Sequence, residues 1–278
     1  MGKDMRVGVV GYGLRGSLAK ELHAAENARV VAVCDPSPRA QRDAAQDFPD
    51  AFLTDSLEEL LELELDAALV LTPDEKHAEV ALPLLRAGIP VFCEKPLATS
   101  LEDTDAILEA AYRTGTPLYV GHNIRQMPVV DVEDISQLNM VLGGGVLASY
   151  QQCHFTPDYW RNYTVIGTKG RLENFGDGPG AKVGIWNRRH SGQSEPDKEF
   201  VVPEATGGHG GADALMVEEF LRFVQEGGIT NTCPVAARNS VATGLVATAS
   251  LRGNGCLLSV PPLQQELRDY FAQGQVKK

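Results

Sequence analysis

No apolar run in this sequence approaches the roughly 20 residues that a helix needs to cross a bilayer, so no spanning segment is expected. The opening "MGKDMRVGVVGYG" passes into a strand pattern without an apolar stretch and a small-residue cleavage site, so no secretory signal is expected either. Gly2 is followed by Arg6 where a myristoylation signal carries Ser or Thr, which argues against that anchor. No Cys-x-x-Cys pair is present. The cysteines Cys34, Cys93, Cys153, Cys233 and Cys256 are scattered, with no histidine at ligand spacing, so no metal site is expected and the reading is of reduced thiols in a cytoplasmic protein. Cys34 and Cys93 fall in apolar strand patterns, where cysteine is a small core residue. Positive charge is short: 25 Lys and Arg stand against 37 Asp and Glu, for a net charge of -12. That balance argues against a polyphosphate-binding surface, so nucleic acid is not an expected partner. There are no internal repeats and no low-complexity segment.

What is present is a core-forming chain of 278 residues, 43% hydrophobic, enough for one large domain or two modest ones. Its first part alternates two kinds of segment. "MRVGVVG", "ARVVAVCD", "DAALVLT", "IPVFCE" and "PLYVGH" are continuous apolar strands. Between them lie "LRGSLAKELHAA", "PRAQRDAAQDF", "SLEELLE", "DEKHAEVALPLLRAG" and "SLEDTDAILEAAYRTG", which have helical spacing. Ser56 and Glu59 stand at capping-box spacing, Ser100 caps the fifth helix, and Gly88 ends the fourth. Apolar strands separated by amphipathic helices predict an α/β fold with a parallel sheet covered on both faces, over residues 1–122. After Asn123 the pattern becomes α+β. "EDISQLNMVL" and "VLASYQQCHF" predict a hairpin about Gly143 to Gly145, and "NYTVIGTKGRLENF" predicts another turning at Lys169-Gly170. "AKVGIWNR" and "KEFVVP" are further strand candidates, followed by helices over "ADALMVEEFLRFVQEG" and "VAARNSVATGLVATASLRG". Residues 123–278 are thus expected to form an α+β domain with an open antiparallel sheet.

Gly11, Gly13 and Gly16 form G-x-G-x-x-G directly after the first strand and at the start of the first helix, with Leu14 and Arg15 inside the same turn. The first glycine permits the tight turn, the second lets a pyrophosphate approach the backbone, and the third allows close helix–strand packing. The helix N-terminus then offers its free N–H groups to the phosphates. Asp35 ends the second strand, where such a turn expects an acid for the ribose hydroxyls, and its charge favours NAD over NADP. Ser37, Arg39 and Arg42 follow closely and leave a 2′-phosphate, hence NADP, open. Thr72 and Pro73, in "LTPDEKH", sit at the carboxyl end of the third strong strand, where open α/β sheets bind ligands. His77, in the first turn of the next helix, is either a cofactor contact or a packing histidine. "FCEKPLA" places Glu94, Lys95 and Pro96 at the carboxyl end of the following strand. A lysine there is either a surface charge or a proton-transfer group beside the nicotinamide.

Together "VGVVGYGLRG", "VCDPSPRA", "LTPDEKHAEVALPLLRAGIPVFCEKPLA" and "VGHNIRQMPVV" resemble the Gfo/Idh/MocA family, the glucose–fructose oxidoreductase and inositol dehydrogenase group. "YTVIGTKGRLENF" and "GGHGGADALMVEEFLRFV" resemble its C-terminal region. The resemblance implies a Rossmann domain followed by a substrate domain. It implies NAD(P)-dependent hydride transfer on a sugar, cyclitol or related polyol or ketone. It implies cofactor contacts from Gly11, Gly13, Gly16 and Asp35, a cofactor path lined by Thr72, Pro73 and His77, Glu94 at the reaction centre and Lys95 as the catalytic lysine. It also implies a homo-oligomer formed through the C-terminal sheet.

The chain departs from the family in one place. In the family a segment like "GHNIRQMPVV" leads into a long helix, then sheet strands, then a helix carrying an Asp and a His that meet the lysine. Here "RQMPVVDVEDIS" (Arg125 to Ser136) passes straight into what reads as a later strand, and the substrate domain is shorter by on the order of a hundred residues. His122, directly after the last Rossmann strand, is the candidate to share acid/base work with Lys95. His154 beside Tyr159 and Trp160, and His209 in "GGHGGAD", are further candidates, each readable as a plain sheet or loop histidine. Tyr150, Phe155, Tyr159, Trp160 and Tyr163 form an aromatic cluster suited to stacking on a sugar, packing a sheet face or meeting a subunit. The alternative to an active enzyme is a cofactor-binding protein with weak or no turnover.

Overall fold

The structure, a computed structural model, describes residues 4–121, 135–153, 161–176, 180–187, 195–204 and 211–276. By its contacts the chain forms two compact units, Met1–Val132 with Ala212–Lys278, and Glu133–Gly211. This cuts the chain differently from a single division after residue 122, because the C-terminal helices return to the first unit. Nothing local in their sequence announces that return; it is decided by which sheet face lacks cover.

The first unit is built on β1 (Met5–Val10), β2 (Ala28–Cys34), β3 (Phe52–Thr54), β4 (Ala67–Val70), β5 (Val91–Glu94) and β6 (Leu118–Gly121). All pair in parallel, in the order β3-β2-β1-β4-β5-β6, the doubly wound order of dinucleotide-binding folds. The connecting helices are α1 (Gly16–Ala24), α2 (Pro38–Asp47), α3 (Leu57–Leu61), α4 (His77–Arg86) and α5 (Leu101–Thr114). Their ends follow the local signals. Ser37, Ser56 and Ser100 each accept a backbone N–H from the first turn of α2, α3 and α5. Gly115 closes α5 in the left-handed region, at φ 73°, where a side chain would be strained.

Two cores flank this sheet. On one face Leu18 and Leu22 of α1 and Ala40 and Ala44 of α2 pack with Phe92 and Tyr119 of the strands. The same core takes in Met216, Val217, Phe220, Leu221 and Phe223 from α6 (Ala212–Glu226). On the other face α4 and α5 pack with α7 (Pro234–Arg252) and α8 (Gln265–Ala272), the last through Leu267, Tyr270 and Phe271. Beyond α8, Gln275 donates to and accepts from the Leu118 backbone (2.7 and 2.8 Å), which covers part of the exposed edge of β6. Arg238 of α7 is buried and makes a bidentate pair with Asp105 of α5 (2.8 and 3.2 Å), with a third bond to the Pro261 carbonyl (2.5 Å).

In the second unit β7 (Ile135–Val141) and β8 (Leu147–Cys153) form an antiparallel hairpin around Gly143–Gly145, as the glycine run predicts. β9 (Thr164–Gly167), β10 (Gly170–Phe175), β11 (Lys182–Trp186) and β12 (Lys198–Val201) form a separate antiparallel sheet in the order β12-β11-β10-β9. The turn at Lys169-Gly170 is where the sequence places it. The described strands thus make two antiparallel sheets rather than one. Val165, Ile166, Phe200 and Val201 are all more than half exposed.

Candidate functional site

The glycine turn joins β1 to α1. Gly11 has φ 87°, and its N–H donates to the Cys34 carbonyl at 2.8 Å. A Cβ on Gly11 would lie 2.7 Å from the Thr72 backbone nitrogen, so this glycine serves both the left-handed conformation and a close approach to the β4 loop. A Cβ on Gly13 would meet nothing within 4 Å, so the backbone there is open to an incoming group. A Cβ on Gly16 would press on the Tyr12 ring at 3.2 Å; its neighbour is thus an aromatic side chain of the same turn rather than a strand backbone. No side chain caps α1; the Gly16 N–H donates to the Gly13 carbonyl (3.1 Å) and the Leu18 N–H to that of Arg15 (3.0 Å), so an anion at this helix end would compete with those two bonds. Leu14 is fully exposed.

Asp35 is buried at the end of β2. Its two carboxylate oxygens accept the N–H groups of Tyr12 (2.7 Å) and Ser37 (2.8 Å), so the acid is fixed between the glycine turn and the start of α2. The adjacent Cys34 thiol is pushed up to about 11 by burial and then by the neighbouring Asp35 charge. A cleft beside Gly13 is lined by Tyr12, Gly16, Ser17, Lys20, Asp43 and Asp47. There Asp47 accepts from the Tyr12 hydroxyl (2.7 Å) and pairs with Lys20 (2.8 Å). Burial, then the bond to Asp47, raises the Tyr12 hydroxyl above its ordinary value, so it stays a donor. Arg39 is 86% exposed and paired at long range with Asp43 (3.8 Å). Asp43 and Asp47 are thus each paired with a cation, whereas the Asp35 bonds described above are to backbone N–H groups.

At the end of β4 the Thr72 hydroxyl is buried and has no hydrogen-bond partner among the described residues. Such a group calls for a ligand or water. Pro73 is exposed beside it. His77, at the start of α4, is fully buried, with Nδ1 2.6 Å from the Pro96 carbonyl oxygen and Nε2 3.0 Å from that of Thr72. The ring therefore ties the β4 loop to the β5 loop through their backbones, and neither nitrogen faces open space.

Glu94 ends β5, also buried. One oxygen accepts from Arg15 Nε (2.6 Å) and pairs with its terminal nitrogen (2.5 Å); the other accepts the Lys95 backbone N–H (2.8 Å). Asp213, in the first turn of α6, meets the same Arg15 at 3.3 and 3.4 Å. Asp213 is the last residue of the stretch "GGHGGAD". Its contact with Arg15 spans 198 positions, and no local pattern carries it. The Lys95 side chain is partly exposed, with no hydrogen bond or ion pair among the described residues, and the Lys95–Pro96 peptide is cis. His122, His154 and His209, with Phe155, Tyr159 and Trp160, lie outside the described residues. Among the described residues no His, Cys, Asp and Glu are grouped so as to hold a metal ion.

The doubly wound strand order, the glycine turn at the head of an uncapped helix, and a fixed acid at the end of β2 define a dinucleotide-binding Rossmann domain. The open backbone at Gly13 and the unpartnered Thr72 hydroxyl fit such a cofactor. Residues 5–122 match the model of the Gfo/Idh/MocA family, described as an oxidoreductase family with an NAD-binding Rossmann fold. Inositol 2-dehydrogenase 2 of Saccharopolyspora erythraea is 40% identical over 117 residues, which are 41% of this chain and 34% of that protein. Inositol 2-dehydrogenase of Corynebacterium glutamicum strain R is 30% identical over 168 residues, 59% of this chain and 49% of that protein. The chain therefore spans between about a third and a half of the length of these relatives. A structure of levoglucosan dehydrogenase in complex with NADH superposes with a TM-score of 0.78 at 14% identity, covering 94% of this chain and 100% of that one. At that identity the likeness speaks to the fold. Among the described residues no helix is long and apolar enough to cross a membrane.

Proposed function

We propose that the chain is an NAD-dependent oxidoreductase that transfers hydride between the cofactor and a sugar, cyclitol or related polyol or ketone. The observation that carries this reading is the position of Lys95. Lys95 follows β5 at the carboxyl edge of the same sheet that presents the glycine turn, Asp35 and the Thr72 hydroxyl, and its side chain has no hydrogen bond or ion pair among the described residues. Bound NAD supplies the hydride acceptor; the chain supplies orientation and the proton. Gly11, Gly13, Leu14, Arg15 and Gly16 receive the diphosphate at the N-terminus of α1, and Asp35 the ribose hydroxyls. Thr72 and Pro73 line the path toward the reaction centre, and His77 holds it by joining the Thr72 and Pro96 carbonyls. Glu94 fixes the Lys95 backbone through its N–H. In alcohol oxidation Lys95 would take the hydroxyl proton, and in ketone reduction it would return it. His122 is assigned as the second acid/base group.

NAD is preferred over NADP in this reading because the buried Asp35 carboxylate at the end of β2 opposes a 2′-phosphate. The exposed apolar strands of the Glu133–Gly211 unit are assigned to self-association, and the place of action to the cytoplasm. The relatives named above are dehydrogenases, which lends no support to the non-catalytic alternative.

The test is calorimetric titration of the purified chain with NADH and NADPH, followed by a polyol screen for NADH production with wild type and Lys95→Ala. NADH binding with turnover that needs Lys95 supports the reading. Binding without any turnover returns the chain to the non-catalytic alternative, and no binding of either cofactor removes both.

A further inference from the structure

Two successive amides after β1 turn toward the end of β2. The Gly11 N–H donates to the Cys34 carbonyl (2.8 Å) and the Tyr12 N–H to one Asp35 oxygen (2.7 Å), while the Ser37 N–H takes the other oxygen (2.8 Å). A carboxylate bonded at both oxygens keeps one orientation, so a ribose diol can meet it already ordered. That order depends on the turn staying in place. The Tyr12 side chain fastens it. The residue is buried although its neighbours Gly13 and Leu14 are exposed. Its hydroxyl donates to Asp47 at the end of α2 (2.7 Å), and its ring meets Phe48 edge-on, with centroids 5.5 Å apart. The same ring lies where a Cβ on Gly16 of α1 would come within 3.2 Å of it. Asp47 pairs with Lys20 of α1 (2.8 Å). The bond to Lys20 first, and then that to Tyr12, hold the Asp47 carboxyl below its ordinary value, so it stays an acceptor. One side chain thus pins the glycine turn to both helices.

We propose that Tyr12 is a positioning residue for cofactor choice: its side chain, seated against α1 and the end of α2, keeps its backbone N–H on Asp35 and so holds that carboxylate in place to select a ribose diol over a 2′-phosphate. This rests on the dinucleotide reading above and goes beyond it, because the selection assigned to Asp35 then depends on a side chain of the glycine turn. The donor itself is a backbone group, which every residue except proline supplies. A substitution at position 12 therefore acts through the seat and not through loss of the donor. With the seat gone, Asp35 gains freedom to turn. A diol must then order it on binding, whereas a 2′-phosphate faces a charge that can swing away.

The preference for NADH over NADPH separates this from a structural role, since a turn that merely loosens loses both cofactors alike. The experiment is calorimetric titration of the full chain with NADH and with NADPH. The chains compared are wild type, Tyr12→Leu, Tyr12→Phe, Asp35→Ala and the double variant Tyr12→Leu with Asp35→Ala. Thermal melts without cofactor check the fold of each. Tyr12→Leu is expected to weaken NADH about tenfold and NADPH by less than about threefold, the scale of one hydrogen bond to a charged group. Tyr12→Phe keeps the ring and loses the bond to Asp47, so it should weaken NADH about threefold and leave NADPH unchanged. It carries the test where the leucine variant does not fold. Adding Tyr12→Leu to Asp35→Ala should lower the preference no further, because both act through one carboxylate. A folded Tyr12 variant that keeps the wild-type preference overturns the inference, as does a double variant in which the two losses add. A wild type that binds both cofactors equally also overturns it; all three results leave the dinucleotide reading in place. Failure of the wild type to bind either cofactor overturns both.

Discussion

Val33 on β2 and Ile166 on β9 are both β-branched residues on strands of this chain, yet Val33 is fully buried and Ile166 is 78% exposed. The contrast holds along the two regions. Val9, Leu69 and Phe92 of the parallel sheet are inaccessible, whereas Val165, Phe200 and Val201 of the antiparallel strands are 63%, 54% and 59% exposed. The difference lies in cover rather than strand propensity. The parallel sheet has α1, α2 and α6 on one face and α4, α5, α7 and α8 on the other. Within the described residues the β9 to β12 sheet has no such layers. Apolar strand residues indicate that a face wants burial; they do not say whether the chain itself supplies it.

The largest effect expected from this contrast is chemical. Lys95→Ala in the covered region should lower polyol turnover by about 10²- to 10⁴-fold, the usual share of a general acid or base. NADH affinity should stay within about threefold if the lysine acts, as proposed, on the substrate proton rather than on the diphosphate. Equal losses in turnover and NADH affinity would show that Lys95 serves binding instead. Next is a break in the cover itself. Arg238→Ala removes a buried guanidinium that joins α7 to Asp105 of α5 and to the Pro261 carbonyl. Losing one partner of a buried pair costs about 3–5 kcal/mol, and the lower end applies because Asp105 is 41% exposed and can rehydrate. Urea unfolding followed by tyrosine or tryptophan fluorescence checks this, and a loss near zero would mean that α7 docks by apolar packing alone.

A matched pair of glycines compares the regions directly. Gly11 and Gly144 both have positive φ, 87° and 76°, so alanine at either meets the left-handed penalty of roughly 1–2 kcal/mol. At Gly144 the added Cβ meets nothing within 4 Å; at Gly11 it meets the Thr72 nitrogen at 2.7 Å. Gly11→Ala should therefore cost clearly more in thermal stability and also abolish NADH binding by pushing the β4 loop away. Gly144→Ala should leave NADH binding unchanged. Similar losses from both would mean that the turn at Gly11 yields as easily as an open hairpin.

Much of the first region is legible from local sequence, because its signals are local. The glycine turn, the serine caps at Ser37, Ser56 and Ser100, and the strand-end position of Asp35 depend on residues a few positions apart, and local geometry realises them. The hairpin turns of the second unit are legible for the same reason. The contacts that complete the site are not local. Asp213 reaches Arg15 across 198 positions, and Arg238 reaches Asp105 across 133. His77 shows a subtler failure. Its place beside the site follows from the sequence, but whether it faces a ligand or two backbone carbonyls depends on the path of the Pro96 loop. The helix α8 did have a signal, since Leu267, Tyr270 and Phe271 stand at i, i+3 and i+4, and all three are buried. That short pattern gains meaning only once the face it covers is known.

The smallest effect on the chain's own stability is the one that tests the contrast most directly. Ile166→Thr on β9 changes a side chain that is 78% exposed, and Val9→Thr makes the corresponding β-branched change at a position that is 0% exposed. Val9→Thr buries a hydroxyl among apolar neighbours and should cost about 1–3 kcal/mol. Ile166→Thr should change monomer stability by no more than about 0.5 kcal/mol, because that side chain has little burial to lose. If the β9 to β12 face meets a second copy, Ile166→Thr should instead weaken self-association, read by light scattering across a dilution series. It should make the melting temperature less dependent on protein concentration than in the wild type. A monomeric wild type at all concentrations removes the self-association assignment. A loss at Ile166 as large as that at Val9, independent of concentration, would mean that the chain covers this face itself, and the contrast between the two regions would then be one of degree.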